Sequence, residues 1–397
     1  MDITKIYNDL LSEIKKGISQ DPDRKILAID TGIKPITQNQ WKQVATGKKV
    51  IACAYAGTNW ITALIEKNVN GKPIYKELNR TVISSDKHQI TFNSFVELMA
   101  DNIISSVRDI DLSKIDTLAI ALGFSQKNII TTYGVEAQFN VKYPGKTWNI
   151  LDYNENIPPE NQPYLGKILL EKLHINNLRN FKYIFFQNDT NAVANFIDDS
   201  TVSNTIGAGF IFGTGDNASL GQLNLELGRL DLIEADEIYD GLIKEKIITD
   251  STKKIEQWMG GDYIVKRLAM EMLLKGEKEI FNTIMSKHDD TIISDIASGK
   301  YENKILGKAQ TSAQRILIEA GQLIGVVLSA VATAGEYEPH ITAFLPVEGS
   351  VFWNGYGVKE TAINTLNSLI PNNKLNIIKA SGIIGIGQSA MVFLTLH

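Results

Sequence analysis

The sequence predicts an α/β protein of two domains, and three observations support this prediction. The chain has 397 residues, which is more than a single hydrophobic core usually organises. Short, continuously apolar runs at 117–123 and 183–186 have the pattern of buried strands in an α/β sheet. Other segments repeat apolar residues at helical spacing, which predicts helices before, between and after these strands.

The N-terminal part of the chain predicts two helices on either side of a strand hairpin. Its predicted elements are a helix at 1–20, two strands within 48–67, a strand-like segment at 72–84 and a helix at 92–106. Gly57, Thr58 and Asn59 supply the turn of the hairpin, because these residue types favour tight turns. Asn93 or Ser94 is expected to cap the second helix.

The rest of the chain predicts further strands separated by helices. After the strand at 117–123 come a helix at 164–173, a strand at 183–186, helices at 189–197, 262–274 and 309–334, strands at 341–345 and 375–379, and a terminal helix at 388–396. The helix at 309–334 is almost wholly apolar after Gln322, so we expect it to be buried between layers. The glycine-rich segment 381–387 is expected to be a loop before the last helix, either an ordinary one or one that contacts a nucleotide.

Composition and charge argue against several classes of protein. The net charge of -5 and the pI of about 5.7 imply no broad basic surface, so nucleic acid is not an expected partner. The N-terminus lacks the features of a signal peptide and no run of about 18 apolar residues occurs, so we expect no membrane span and a cytoplasmic location. The single cysteine, Cys53, is expected to be a buried strand residue. The five histidines have no metal-ligand spacing, and the absence of G-x-x-x-x-G-K-[ST] argues against a P-loop kinase.

Three acidic residues are candidates for sugar chemistry. Asp189 follows the buried strand 183–186, and the carboxyl ends of such strands commonly line ligand clefts. A carboxylate fixed there can accept the proton of a hydroxyl as a general base, although an ordinary helix cap is the alternative. Glu226 and Glu256 are candidates to accept hydrogen bonds from sugar hydroxyls, and their alternative is a solvated surface position.

Glycine turns are candidates for phosphate binding. Gly213-Thr214-Gly215 lies between apolar segments, and glycine lets backbone N–H groups approach an anion without a side-chain clash. Gly57-Thr58 repeats this pattern, and two such hairpins facing one another would form a cleft with two phosphate-binding turns. The alternative interpretation of each of these two segments is an ordinary turn that binds no phosphate.

These segments, in this order, resemble the hexokinase family of the actin-like ATPase superfamily, from about Lys48 to the C-terminus. Leu122-Gly123-Phe124-Ser125 resembles the start of the sugar loop L-G-F-x-F-S-F-P, and Asn188-Asp189-Thr190 resembles N-D-T. Ile211–Asn217 resembles the second phosphate motif, Asn224–Gly228 resembles N-x-E-W-G, and Ile255–Ile264 resembles the segment of a second sugar-binding Glu. Glu348–Val351 resembles D-G-S-V, and Gly385–Ala390 resembles G-S-G-K-G-A. Lys146 is loosely similar in placement to the lysine of T-K-G-F.

The resemblance implies a fold and a set of site residues. The implied fold is the two-domain actin-like ATPase (ribonuclease H-like) fold with an interdomain cleft, the smaller domain comprising 48–187 plus 388–397 and the larger 1–47 plus 188–387. The implied sugar-binding residues are Ser125, Lys146, Asn188, Asp189, Asn217, Glu226 and Glu256. The implied contacts of ATP–Mg²⁺ are Gly57, Thr58, Asn59, Gly213, Thr214 and Gly215, with Ser350, Gly385 and Gly387 on the adenosine side. No side chain is predicted to ligate the metal.

The first phosphate loop departs from the family pattern D-L-G-G-T-N-F-R. Ala54 stands where the family has the carboxylate that helps to hold Mg²⁺, and Ile61 stands where it has an arginine. Losing this metal support is expected to cost on the order of a thousandfold in rate. Asp30 lies outside the hairpin and is not expected to replace the missing carboxylate, whereas Asp216 beside Gly215 is an alternative substitute.

The sequence therefore predicts an ATP-dependent hexokinase that phosphorylates a hexose, with glucose as the first candidate, at its primary 6-hydroxyl with Asp189 as the general base. Ala54 and Ile61 leave open a non-catalytic sugar-binding or regulatory protein with the same fold. The shortened sugar loop leaves open a kinase of another sugar or polyol. The expected partners are a small-molecule sugar and a nucleotide, and the sequence predicts no oligomeric state.

Overall fold

The structure is a computed structural model. It describes all residues except 57–58, 84–87, 125, 140–147, 153–162, 199–205, 249–251, 253, 288–290, 302 and 397. The predicted site residues Gly57, Thr58, Ser125 and Lys146 lie outside the described residues.

The described chain forms fourteen α-helices and fifteen strands. The helices are α1 Ile3–Ile18, α2 Gln38–Gln43, α3 Phe92–Val107, α4 Leu165–Ile175, α5 Asp189–Ala194, α6 Glu237–Lys244, α7 Glu256–Met259, α8 Gly261–Leu274, α9 Lys278–Ser286, α10 Ile292–Ser298, α11 Gln310–Ala334, α12 Ser350–Asn354, α13 Val358–Leu369 and α14 Gly382–Leu396. The strands are β1 Ile29–Asp30, β2 Lys49–Ala56, β3 Asn59–Lys67, β4 Pro73–Val82, β5 His88–Ile90, β6 Thr117–Leu122, β7 Gln126–Thr131, β8 Gly134–Phe139, β9 Trp148–Ile150, β10 Tyr183–Asn188, β11 Ala208–Phe212, β12 Asp216–Leu220, β13 Leu223–Asn224, β14 Thr342–Glu348 and β15 Lys374–Lys379.

Seven strands form a mixed sheet in the order β4-β3-β2-β6-β10-β8-β7. The three central strands β2, β6 and β10 are parallel, and the flanking β3 and β7 pair antiparallel with their neighbours. Every residue of β6 is buried, as its continuously apolar sequence predicts for a strand covered on both faces. The carboxyl ends of β6 and β10 therefore meet at one edge of this sheet, where Asn188 pairs with Leu122.

Helices cover both faces of the seven-stranded sheet. On one face, α3 and α4 contribute buried residues such as Phe95 and Leu169 to a core with Leu118 of β6. On the other face, α2 and α14 contribute Trp41 and Ile386 to a second core. The sheet is thus the middle layer of three, the usual arrangement in α/β proteins.

A second sheet has six strands in the order β1-β13-β12-β11-β14-β15. Its strands β11, β14 and β15 are parallel, with Phe210 opposite Val347 and Leu345 opposite Ile377. The long helix α11 packs against α1 and α13, and the hydroxyl of Tyr7 on α1 is 3.0 Å from that of Thr333. Gly321 and Gly325 of α11 face α13, where an added Cβ would lie 2.8 and 2.6 Å from backbone oxygens.

The chain divides into two compact units, each assembled from separate segments of the sequence. The first compact unit comprises Met1–Ala28, Phe210–Ala218 and Leu225–Lys379. The second compact unit comprises Ile29–Gly209, Ser219–Asn224 and Ala380–His397. The seven-stranded sheet belongs wholly to the second unit, and α11 with its helical neighbours belongs to the first.

The helical segment Lys304–Ala334 is long and apolar enough to span a membrane by length and composition alone, and it is the one such segment among the described residues. Of its most apolar window, 78% is buried inside the protein. A mostly buried core helix passes the same test of length and composition, so this property is weak evidence for a membrane span.

The structure confirms the predicted α/β class, and among its differences from the sequence predictions are the following element ends. Helix α3 is capped by Thr91, whose hydroxyl accepts a hydrogen bond from Ser94 N, rather than by Asn93 or Ser94. Helix α5 ends at Ala194, before the predicted end at 197. Helix α14 begins at Gly382, so that the predicted loop 381–387 is mostly helical.

Candidate functional site

Asn188 joins the ends of the two central strands in the second compact unit. It ends β10, and only 1% of its surface is exposed. Its side-chain amide donates hydrogen bonds to Leu122 O at 3.4 Å and Phe124 O at 3.3 Å, at and just beyond the end of the adjacent strand β6. Its side-chain oxygen accepts a hydrogen bond from Thr190 N at 3.0 Å. Asn188 is therefore the N-cap of α5 and fixes the backbone on either side of residue 189.

Asp189 follows as the first residue of α5 and is half-buried. Its Oδ1 accepts a hydrogen bond from Thr190 N at 2.8 Å, and the Thr190 hydroxyl donates to the Asn188 side chain. Asn188 occupies the N-cap position, and both side chains accept a hydrogen bond from Thr190 N at the start of α5. The partly exposed carboxylate is thereby held at the carboxyl edge of a buried strand.

Asp216, Asn217 and Glu256 form a connected group in the first compact unit. The Asn217 side-chain oxygen accepts hydrogen bonds from Ala218 N at 2.8 Å and from Leu227 N at 3.3 Å. Glu256 Oε1 accepts a hydrogen bond from Asp216 N at 3.3 Å. Asp216 and Glu256 are 3% and 4% exposed, so both carboxylates are removed from bulk water.

Glu226 lies beside this group in an unusual backbone conformation. Its φ of 51° and ψ of 41° are left-handed, which is rare for a residue with a Cβ. The hydrogen bond from Leu227 N to Asn217 and that from Arg229 N to Glu226 O hold the turn in place. Arg229 Nε contacts Glu226 Oε2 at 3.1 Å. The structure thus places Asn217, Glu226 and Glu256 in neighbouring segments of the first compact unit.

The turn Gly213–Gly215 meets the segment that contains Ser350. Gly213 N donates to Gly215 O at 3.1 Å, and Gly261 N donates to Gly213 O at 2.8 Å. A Cβ on Gly349 would lie 2.0 Å from Phe212 O, and its φ of 119° is accessible only to glycine without strain. This close approach places the predicted turn and Ser350, two of the predicted nucleotide contacts, side by side in the first compact unit.

Gly385 and Gly387 are buried inside α14 rather than exposed in a loop. A Cβ on Gly385 would lie 1.9 Å from Ala192 O, and one on Gly387 would lie 2.9 Å from a side-chain carbon of Ile65. Close packing of α14 on α5 and β3 accounts for both glycines without a nucleotide.

The departures from the family pattern form one apolar pair. Ala54 of β2 lies directly opposite Ile61 of β3, and both half-buried side chains pack against the core that contains Ile386. Asn59 begins β3 and is exposed. The Asp30 carboxylate is hydrogen-bonded within the second compact unit, because it accepts hydrogen bonds from Gly32 N at 2.7 Å and Gln222 Nε2 at 2.9 Å.

Within the described residues, the structure bears on two expectations, one about metal ligands and one about the cysteine thiol. Among these residues, no three His, Cys, Asp or Glu side chains are grouped as metal ligands. Cys53 is fully buried, and burial raises the pKa of its thiol to about 11. The thiol is therefore protonated near neutral pH, as expected for a structural strand residue.

The sequence pattern does not predict that Gln126, the first residue of β7, is buried. Its side chain is completely buried, and within the described part of the chain neither its amide nitrogen nor its amide oxygen has a hydrogen-bond partner. One signal was present in the sequence: Gln126 follows Leu122-Gly123-Phe124-Ser125 at a point where the family's sugar-loop pattern is apolar.

No protein-family model and no curated protein sequence matches the chain. A hexokinase from Schistosoma mansoni complexed with glucose matches its structure with a TM-score of 0.73 at 13% sequence identity, over 100% of this chain and 95% of that chain. Another hexokinase structure matches with a TM-score of 0.72 at 12% identity, over 100% and 96% of the two chains. A ROK-family transcriptional regulator, a homologue of the E. coli MLC protein, matches with a TM-score of 0.50 at 13% identity, over 88% and 80%.

These likenesses establish the fold. The chain has the mixed α/β, actin-like fold shared by hexokinases and ROK-family proteins, which confirms the fold class and the resemblance predicted from the sequence.

Proposed function

We propose that this protein is an ATP-dependent hexokinase that phosphorylates the primary 6-hydroxyl of a hexose, with glucose as the first candidate. The observation that carries the proposal is the placement of Asp189. Its half-buried carboxylate follows directly after the buried strand β10, at the start of α5, where Asn188 is the N-cap. A general base for a hydroxyl must be fixed in this way and still be reachable.

In this proposal Asp189 accepts the proton of the attacking hydroxyl, and Asn188 and Thr190 hold its backbone. Asn217, Glu226 and Glu256 accept hydrogen bonds from other hydroxyls of the sugar. Backbone amides hold two of these side chains, since Asp216 N donates to Glu256 Oε1 and Leu227 N donates to Asn217 Oδ1. This supports the role, because a preorganised set of acceptors orients a polyol with little rearrangement. Ser125 and Lys146 complete the proposed sugar contacts.

The nucleotide is proposed to contact the turn Gly213–Gly215 and Ser350, with Gly57, Thr58 and Asn59 on the first hairpin. Bound ATP supplies the γ-phosphoryl group that the sugar oxygen attacks. Adjacency of Gly213 and Ser350 supports one continuous nucleotide surface in the first compact unit. The first hairpin does not fit direct ligation of Mg²⁺, because Ala54 and Ile61 offer no oxygen or charge. Gly385 and Gly387 are assigned to packing.

The test is glucose-dependent ADP production from Mg·ATP by the wild type and by Asp189→Asn. Loss of a general base is expected to lower turnover by about 10²- to 10⁴-fold. Glucose affinity, measured by calorimetry, should stay within a few fold because the side chain keeps its size. Asp30→Asn is the matched control and should retain turnover, since Asp30 bonds Gly32 and Gln222. Near-normal turnover by Asp189→Asn would refute the assignment of the base.

A non-catalytic sugar-binding regulator is the second candidate, and the apolar pair Ala54–Ile61 favours it. A transcriptional regulator also shares this fold with a TM-score of 0.50. Calorimetry with glucose and Mg·ATP separately distinguishes the candidates. Glucose binding without nucleotide binding supports the regulator, and nucleotide binding without glucose binding supports a kinase of another sugar or polyol.

A further inference from the structure

A cavity of about 300 Å³ lies within the first compact unit, beside the N-terminal end of α1. We call it the α1–α7 cavity, and its polar lining side chains are those of Asp2, Lys5, Glu234, Asp236, Trp258 and Glu319. The cavity opens to solvent, because the side chains of Lys5 and Glu234 are 61% and 90% exposed. None of the proposed sugar or nucleotide contacts is among its described lining residues. Its volume is in the range of small-molecule sites.

Trp258 brings a hydrogen-bond donor without a partner to this cavity. The residue lines the cavity and is only 2% exposed, so its small exposed part faces the cavity. No described residue accepts a hydrogen bond from its indole N–H, and the unpaired polar atoms that are sealed inside the described protein belong to other residues. The N–H is therefore open to the cavity. Because a buried indole N–H usually has a partner, its state here indicates that a ligand with an acceptor binds.

Neighbouring side chains hold the Trp258 indole in place. The Tyr239 ring stacks on it at a centroid distance of 5.4 Å and an interplanar angle of 15°. The central guanidinium carbon of Arg267 lies 5.1 Å from the indole centroid, and Arg267 Nη2 contacts Asp236 Oδ2 at 2.7 Å. The donor is thus preorganised, which lowers the cost of binding a ligand to it.

The carboxylates of the cavity are already paired with cations of the protein. The pairs are Glu234 with Lys5 at 3.3 Å, Asp236 with Arg267 at 2.7 Å, and Glu319 with Arg315. A ligand therefore needs no positive charge to compensate them. The side chains of Asp236 and Glu319 are 41% and 25% exposed, and a carboxylate oxygen can accept more than one hydrogen bond. A neutral ligand with several hydroxyls matches this combination of acceptors and one donor.

We propose that the α1–α7 cavity is a second polyol site, which binds a sugar or a sugar alcohol apart from the proposed active site. One hydroxyl oxygen of the ligand accepts a hydrogen bond from the indole N–H of Trp258. Other hydroxyls donate to the carboxylates of Asp236 and Glu319. The apolar side chains of Ile6 and Ile233, which also line the cavity, contact the carbon skeleton of the ligand.

Helix α7 connects this site to the proposed sugar site. It has four residues and carries both Trp258 and Glu256, a proposed sugar contact. A helix of this length is not stable alone, so its position depends on its contacts. A ligand that favours one position of α7 therefore changes the affinity of the other site, and the coupling is reciprocal. This regulatory part rests on the proposed function, whereas the binding part does not.

The test follows the tryptophan indole N–H signals of the full chain by ¹H–¹⁵N NMR without nucleotide. Glucose, sorbitol and myo-inositol are titrated separately. The chain has five tryptophans, and the Trp258 signal is the one that Trp258→Phe lacks. If that variant does not fold, single Phe variants of the other four identify it by elimination. At least one polyol should shift this signal with a midpoint at or below about 10 mM. No shift up to about 100 mM overturns the inference and indicates an ordered water as the partner.

Glu226→Gln distinguishes the two sites. It should weaken sugar binding at the proposed active site by about tenfold, because it changes a charged acceptor there. The midpoint of the Trp258 shift should stay within about twofold of the wild-type value, since Glu226 does not line the cavity. A midpoint that rises about tenfold in this variant would mean that the Trp258 signal reports the proposed active site, and it would overturn the inference.

Trp41→Phe is the matched control for Trp258→Phe. Trp41 is also 2% exposed, but its indole N–H donates to Gly71 O at 2.8 Å. Trp41→Phe should lower the urea denaturation midpoint more than Trp258→Phe does, because it breaks a hydrogen bond, and it should leave polyol affinity unchanged. Trp258→Phe should weaken polyol binding to the cavity by about tenfold in calorimetry. Equal polyol affinity of Trp258→Phe and the wild type contradicts the inference.

Turnover measures the regulatory part. The polyol that shifts the Trp258 signal should change the KM for the phosphorylated sugar about fivefold in the wild type and not in Trp258→Phe. An unchanged KM with the Trp258 shift intact overturns the coupling through α7. A Trp258 shift in a protein without sugar-dependent turnover overturns the proposed function and supports the second site.

Discussion

Ala54 and Ile61 face one another across the β2–β3 hairpin in direct register. These are the two positions where the hexokinase pattern carries an aspartate and an arginine. Because they are cross-strand neighbours, an aspartate at position 54 and an arginine at position 61 would lie opposite one another. An unpaired half-buried charge is costly, so either charged residue alone would be less stable here than the apolar pair.

We predict that Ala54→Asp and Ile61→Arg are coupled. Either substitution alone should lower the free energy of unfolding by about 1–3 kcal/mol, because it leaves a half-buried charge without a partner. The double variant should recover about 1 kcal/mol or more of the summed loss. Urea denaturation of the four proteins measures this cycle. Losses that simply add would show that the two side chains do not interact.

The same double variant tests the metal argument. If the lost carboxylate limits the rate, Ala54→Asp/Ile61→Arg should turn over Mg·ATP at least about tenfold faster than the wild type. The comparison uses equal amounts of folded protein at saturating nucleotide. An unchanged rate would mean that the hairpin carboxylate is not what this chain lacks.

Gly385 gives a prediction about helix packing. Gly385→Ala should lower the free energy of unfolding by about 3 kcal/mol or more, because its Cβ would lie 1.9 Å from the Ala192 carbonyl oxygen. Gly387→Ala is the matched control in the same helix. Its Cβ would meet the Ile65 side chain at 2.9 Å, so the cost should be at least about 1 kcal/mol smaller. Chemical denaturation measures both.

Nucleotide affinity separates packing from binding at the same two positions. Gly387→Ala should bind Mg·ATP as the wild type does. Weaker nucleotide binding by this variant at unchanged stability would restore the nucleotide role that the sequence motif suggested.

Glu136 gives a prediction about pH. It is completely buried and accepts hydrogen bonds from Gly166 N at 2.7 Å and Lys167 N at 2.6 Å, at the start of α4. Burial raises the pKa of the Glu136 carboxyl, against the lowering effect of these hydrogen bonds. Between its ordinary pKa and this raised value the folded protein binds more protons than the unfolded chain. This group therefore makes stability fall as the pH rises through that interval.

We expect Glu136→Gln to gain stability relative to the wild type as the pH rises from acidic to neutral. Urea denaturation at several pH values in this range measures the difference in the free energy of unfolding between the variant and the wild type. An effect of the amide that does not depend on pH leaves the slope of this difference against pH unchanged. Glu271→Gln is the control of opposite sign. Burial acts to raise the pKa of Glu271, but hydrogen bonds from Lys275 and Ser312 and the charge of Arg315 lower it overall. That variant should lose stability relative to the wild type over the same range, and equal slopes for the two variants would contradict this assignment.

The sequence predicts the elements whose periodicity is strong and misses those with buried polar residues. The apolar runs of β6 and β10 and the helical spacing of α1 and α11 are sufficient to identify these elements. The β7 strand was missed because its buried positions hold Gln126 and Asn128 instead of apolar side chains. The start of α14 was missed because glycine disfavours helix, and only tertiary packing reveals why glycines are tolerated there.

Some features of the candidate site were likewise predictable from the sequence and others were not. Asp189 was predictable, since a carboxylate after a buried strand has a local sequence pattern. The adjacency of Gly213 and Ser350 was not, because it depends on a contact between segments far apart in the chain. The left-handed conformation of Glu226 likewise arises from its hydrogen-bonded turn and not from its residue type.

The burial of α11 has a consequence for the order in which the chain is made. Domains fold progressively from the N-terminal side during synthesis. The apolar surface of α11 emerges when α1, one of the elements that it packs against, has long been available, while α13 begins at Val358, after α11 has ended at Ala334. The apolar surface of α11 is therefore synthesised when an earlier partner is already present, which shortens the time that this surface is exposed to water.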